Sequence, residues 1–313
     1  MIASVFSKSR PFNYILITSL LVFCYFIYQI KHVISTEDSS LTLFDVIQKG
    51  TVLLLVTASL FITNFITKRN GLSKDNSYSF LFYFAFLLFI PSVFNKINLI
   101  LASFFILLAL RRLISMKSLI TPKEKIFDAS LWIFIATLFH FWSILFIVIV
   151  FASIIFHVSS DYRNWILPFI AFFTVGVIFL FFSLLIDKEW ISIVWKQIDL
   201  NFDFHYFSNS VENLALTLFI IFSVFFLFAM LLTLSRRPLI LHASYKKIIF
   251  SLLISLLIYV FSPVKSNDLL IFSILPLSIL ATAYLEFIRD SMLKEIITSS
   301  IVITGLLMFM FQL

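Results

Sequence analysis

Charge and glycine are both scarce in this sequence. Only 12% of the 313 residues are Asp, Glu, Lys or Arg, about half the share usual in soluble domains. With 61% hydrophobic residues and a mean hydropathy of +1.09, the chain has too little polar surface to cover a water-soluble fold. Its four glycines, none in a GxxxG spacing, exclude a bundle held by repeated small-residue contacts. The single cysteine, Cys24, excludes internal disulfides and thiolate metal centres. No Walker A segment, GxGxxG, HExxH or GxSxG occurs, so ATP-driven transport, dinucleotide chemistry, zinc proteolysis and elbow-type hydrolysis lack support. No cofactor is indicated.

What is present is a succession of apolar runs of roughly 18 to 25 residues, each long enough to cross lipid. They fall at 11–30, 51–67, 78–94, 97–115, 126–157, 165–186, 211–234, 247–262, 269–287 and 296–313. No polar segment is long enough to fold apart, which predicts one integral membrane domain over 1–313. The fold class is all-α, a polytopic transmembrane bundle whose first partner is membrane lipid. Lys8 and Arg10 precede an apolar run without a small-residue cleavage site, the pattern of an uncleaved first helix. The net charge of +7 reads as an orientation signal rather than a nucleic-acid surface. The 42 phenylalanines are what A- and T-rich codons favour and need no aromatic-lined cavity.

The run 126–157 is too long for one ordinary crossing, and the positive-inside rule decides how it is used. If it is a short hairpin, 17 Lys and Arg lie inside and 6 outside; if it is one helix, the split is 13 to 10 and Arg236, Arg237, Lys246 and Lys247 are stranded outside. The hairpin is therefore expected, giving about 11 membrane helices, with the N-terminus inside and the C-terminus outside. Two helices of about 14 residues reach only ~21 Å, so their turn lies inside the protein below the outer surface. That turn carries His140 and Trp142.

The same threading places nine carboxylates and six bases outside. Glu37 and Asp38 lie in the first outer loop, where Leu41, Leu43, Phe44, Val46 and Ile47 predict a short interfacial helix bearing Asp45. In the longest outer loop Trp190, Ile193, Val194 and Ile198 share a helical face, and Asp199, Asp203 and His205 follow at a spacing that predicts no metal centre. Lys265 stands in a third outer turn before Pro276, and Lys96 follows Pro91 in a fourth.

Three segments, "MIASVFSKSRPFNY", "NGLSKDNSYSFLFYFAFLLFIPSVFN" and "LPLSILATAYLEFIRDSMLKE", resemble an uncharacterised family of multi-pass inner-membrane proteins of Bacteroidota, especially flavobacteria. The order of elements around "LRRLI" and "FDASLWIFIATLFHFWSILFIVIVF" is similar, more distantly, to membrane glycosyltransferases of the C-type fold. That resemblance implies a polyprenyl-phosphate sugar as substrate and a catalytic carboxylate in the first outer loop. Asp38, with Glu37 as substitute, matches that carboxylate, and Lys265 matches the basic residue ahead of a Pro-containing helix. Departures are visible: His140-Phe-Trp142 stands where many such enzymes have a basic residue and Pro, and no Arg accompanies Lys265.

The expected function is thus a glycosyltransferase-like protein of the bacterial inner membrane, working at the periplasmic face in envelope glycan biogenesis. Asp38 or Glu37 would deprotonate an acceptor hydroxyl; Lys265, His140, Trp142 and Lys96 would bind the donor. The rival expectation is a non-enzymatic transporter, lipid-handling protein or assembly partner.

Overall fold

The computed structural model describes residues 2–36, 43–198 and 210–313. Among them the chain is helical and forms no strand. In order come α1 (Ile2–Phe6), α2 (Pro11–Thr36), α3 (Leu43–Arg69), α4 (Tyr78–Leu87), α5 (Ile97–Ile114), α6 (Pro122–Phe139), α7 (Ile147–His157) and α8 (Arg163–Leu185). Then follow α9 (Glu189–Lys196), α10 (Ser210–Thr233), α11 (Leu239–Phe261), α12 (Ile271–Phe287) and α13 (Ser291–Gln312). Eight of the described helical segments are long and apolar enough to cross a membrane, and the apolar segments Tyr78–Leu87 and Phe141–His157 are shorter. The protein is a polytopic all-α membrane bundle. Lipid offers backbone groups no partner, so each crossing must satisfy its hydrogen bonds within its own helix.

The helices fall into two compact sets, each discontinuous in sequence. The first comprises 1–100, 205–232 and 274–313; the second comprises 101–204 and 233–273.

In the first set α4 is apolar all round and each of its ten residues is buried, as a helix without a polar face must be. Pro91 follows after three further residues, inside the apolar run 78–94 that hydropathy counts as one crossing. The residue before a proline avoids the α region, so the helix stops and resumes as a 3-10 turn over Pro91–Asn95. α13 lies against α4, where Gly305 approaches the Ala85 carbonyl so closely that a Cβ would stand 2.7 Å from it. Phe86 and Phe89 meet Phe219 of α10 edge-on, with ring centres 5.9 and 6.1 Å apart.

One end of this set is tied by polar side chains. Asn13 donates to the Val5 and Lys8 carbonyls at 2.9 and 3.0 Å, Tyr78 donates to the Ala3 carbonyl at 2.9 Å, and the Glu295 carboxylate accepts from the backbone N–H groups of Ile2 and Ala3. Glu286 accepts from the Lys74 N–H at 2.8 Å and from Asn76. Gly71, at φ 60°, ends α3: its N–H reaches the Lys68 carbonyl and the Leu72 N–H reaches that of Thr67, both at 3.0 Å, the double closure that a left-handed residue permits.

Of the separate interfacial helix expected around 41–47, Leu41 lies outside the described residues. Residues 43–47 are instead the first turns of α3, which runs unbroken for 27 residues, because nothing between Leu43 and Gly50 stops a helix. The amphipathic helix expected after Asp187 is present as α9, with Trp190, Ile193 and Trp195 exposed.

In the second set the run 126–157 is a hairpin. A single helix over 122–157 would be ~54 Å long at 1.5 Å per residue, yet Lys123 at its start and Asp161 just beyond its end pair at 2.9 Å. The break falls at His140, whose backbone is extended (φ −146°, ψ 107°), and the chain returns through a 3-10 turn over Phe141–Phe146 into α7. Lys123, aided by the Arg163 N–H, holds the Asp161 carboxyl below the usual carboxylate range. That contribution is present above the ordinary range and is lost as pH falls through the lowered value; both partners are solvated, so it is small. Arg112 of α5 and Asp128 of α6 pair at 2.8 Å at the same end.

These pairs join only groups that the Lys and Arg count puts on one side. Lys123 with Asp161, Arg112 with Asp128, and Glu286 with Lys74 are assigned inside, whereas Tyr25 donates to the Lys49 carbonyl at 2.8 Å and Gln29 to Asn95 at 3.2 Å at the end assigned outside. α8 turns Phe169, Phe173, Phe181 and Leu185 outward. So large an apolar surface requires lipid around it.

Candidate functional site

The tip of the hairpin is where three of the expected residues, His140, Trp142 and Lys265, come together. Extended backbone at His140 ends α6, and the following turn is pinned by the Ser143 N–H on the His140 carbonyl at 3.0 Å and by the Phe141 N–H on the Gln197 side chain, also 3.0 Å. The tip faces the last residues of α11. His140 Nε2 and Ser262 Oγ share a hydrogen bond of 3.1 Å, and the imidazole tilts over the Phe272 ring at 5.6 Å. Trp142 stacks on Phe261, ring centres 5.4 Å apart and planes within 25°. Lys265 folds back so that its ammonium donates to the Val260 carbonyl at 2.6 Å and, at the longer 3.4 Å, to that of Ser262. Three residues drawn from two distant stretches of sequence thus converge on Val260, Phe261 and Ser262.

The chemistry follows from those contacts. α11 ends at Phe261, leaving its last carbonyls without helical partners, and the Lys265 ammonium satisfies one of them while complementing the negative end of the helix dipole. That use competes with phosphate binding, the role expected of this residue. The indole N–H of Trp142 and the hydroxyl of Ser143 are both buried, and no protein group pairs with either. Both groups are able to donate to an oxygen-rich ligand. Asn267 and Asp268 are buried as well, at 5% and 4% exposure, in the turn that opens α12. Asp268 is one of the nine carboxylates that the threading places outside. The signal that could have raised it is its place directly before a long apolar run, where a carboxylate has little water to face.

Lys96 belongs to the first helix set, exposed at the end of the Pro91–Asn95 turn. Beside that turn a cavity of about 170 Å³ is lined by Asp45, Gln48, Lys49, Val52, Phe94 and Asn95. Glu37 and Asp38 lie outside the described residues, as do Asp199, Asp203 and His205. Among the described residues no three His, Cys, Asp or Glu side chains group as a metal site would require.

Comparison with known protein families, with curated proteins and with solved structures finds no match for this chain.

Proposed function

We propose that this multi-pass membrane protein acts on a lipid-linked sugar at the periplasmic face of a bacterial inner membrane, in the manner of a glycosyltransferase. The observation that carries the reading is the convergence of His140, Trp142 and Lys265 on Val260–Ser262, an imidazole, an indole N–H and an ammonium at one buried turn. In the transfer, the acceptor O–H proton passes to the Asp38 carboxylate, with Glu37 as substitute. The acceptor oxygen bonds to the anomeric carbon, and the electron pair of the broken C–O bond leaves on the polyprenyl phosphate. A cation must stabilise that departing charge. Lys265 serves only by turning from the Val260 carbonyl, and a lone Lys offers phosphate less than the paired donors of an Arg.

That same contact favours a second reading. An ammonium committed to a helix end is a structural cap, and the tip is then a binding surface of a lipid-handling or assembly protein without catalysis. The lipid-linked oligosaccharide profile of a deletion strain separates the two. The enzyme reading predicts accumulation of a polyprenyl-phosphate sugar, reversed by the wild-type gene and not by one carrying Asp38→Asn with Glu37→Gln. A profile fully restored by the double variant contradicts catalysis by these carboxylates, and an unchanged profile in the deletion strain contradicts the sugar substrate.

A further inference from the structure

We propose that the opposite end of the second helix set, the end that the Lys and Arg count assigns to the cytoplasm, holds a phosphate group between Lys247, Lys125 and Lys117. Lys247 carries the inference. In the sequence it looks like one of a basic pair flanking a membrane helix, but α11 begins eight residues earlier, at Leu239, and Lys247 is fully buried within it. Buried ammonium groups ordinarily face a carboxylate. This one donates to the Leu113 carbonyl and lies 3.2 Å from His157 Nε2. Lys125 and Lys117, both positive, also act on it.

Lys125 is nearly as enclosed, 9% exposed, with its ammonium on the Ser115 carbonyl and the Ser118 hydroxyl, both at 3.0 Å. These contacts fasten the loop between α5 and α6, in which Leu119 and Thr121 hold the left-handed conformation at φ 54° and 43°. Such a conformation is costly for non-glycine residues and persists only where the surroundings enforce it. One turn before Lys247 on the same face of α11, Ser244 is completely buried and its hydroxyl has no hydrogen-bond partner.

Like charges that repel in a low-dielectric site are stable when an anion stands between them. Each of the ammonium groups of Lys247 and Lys125 has three N–H donors and uses two on protein atoms. Together with the Ser244 hydroxyl, the donors left over suit a tetrahedral oxyanion better than a planar carboxylate. Basic pockets between membrane helices on this side commonly receive lipid headgroups. The chemistry recognised is therefore the phosphoryl oxygen, from an anionic phospholipid or from free phosphate. This site is independent of the hairpin tip and of any sugar transfer there.

Thermal unfolding of the full chain in neutral detergent tests it, with phosphatidylglycerol, phosphatidylcholine or inorganic phosphate added at matched ionic strength. A ligand bound only by the folded state raises the midpoint. Phosphatidylglycerol is expected to raise it by several degrees over phosphatidylcholine if the source is lipid, and inorganic phosphate to do so over chloride if the source is free phosphate. In either case Lys247→Met loses the increment. Should that variant fail to accumulate, Lys125→Met, whose side chain sits at the loop, is expected to show the same loss. No shift with either additive, or a shift that survives both substitutions, overturns the proposal.

Discussion

Gly305→Leu will sharply lower both the unfolding midpoint and the amount of protein recovered from membranes. At this position a Cβ would meet the Ala85 carbonyl oxygen at 2.7 Å and the edge of Phe89 at 3.4 Å. The obstructing atom is backbone within α4, a helix buried on every side, so it can neither rotate away nor move outward. Overpacking of a core commonly costs about 1–3 kcal/mol; a leucine here also parts α13 from α4 and loosens the Gln312 side chain from the Phe89 carbonyl, a bond of 3.1 Å. Gly176 provides the control. Nothing lies within 4 Å of the Cβ it would gain, so Gly176→Ala should be neutral or slightly stabilising, since alanine in a helix is favoured over glycine by about 1 kcal/mol. Equal midpoints for Gly305→Leu and wild type would mean that α13 does not rest on α4.

The second large effect is expected at the hairpin tip, where two substitutions should separate function from stability. Trp142→Phe keeps a ring to stack on Phe261 and removes the buried N–H that no protein group accepts. An unpaired buried donor costs about 1–3 kcal/mol, so the midpoint should hold or rise. If that N–H serves an oxygen of the substrate, complementation of a deletion strain falls tenfold or more, the equivalent of about 1.4 kcal/mol. His140→Ala behaves differently. It removes the hydrogen bond to Ser262 and the packing against Phe272, and lowers stability and function together. Full complementation by Trp142→Phe would remove the indole N–H from the site, and a loss of stability equal to that of His140→Ala would make it structural.

Apolar run length and charge asymmetry carried most of the architecture. The hairpin could be read because only a reversal near His140 puts the basic loops on one side, and the Lys123–Asp161 pair shows the two ends together. The starts of α3 and α11 could not be read as well. Hydropathy locates the stretch that needs lipid, whereas a helix continues until a residue stops it. Thus 43–50 and 239–246 are turns of the crossing helices, where a separate interfacial helix and a loop are the sequence expectation. That extension is what turns Lys247 from a flanking charge into a buried one.

At the site, His140, Trp142 and Lys265 were legible as residues assigned to one side, but not their meeting at Val260–Ser262, which depends on tertiary contact. Asp268 was missed because burial of a short turn leaves no periodic signal. The segments 1–14, 70–95 and 275–295 meet in the first helix set. Ala3, Asn13, Asn76, Tyr78, Glu286 and Glu295 are tied to one another's segments through side-chain hydrogen bonds.

The central claim is that 122–157 enters and leaves the membrane on one side, with its tip and Lys265 toward the other. Single cysteines at the exposed positions Ile120 and Val264 and at the half-buried Asp161, in a Cys24→Ser background, report it through labelling of intact spheroplasts by a membrane-impermeant maleimide. The account predicts labelling at 264 in intact spheroplasts and at 120 and 161 only after permeabilisation. Labelling of 161 from outside while 120 stays protected would mean one crossing in place of two, and would contradict the hairpin and the site built on it.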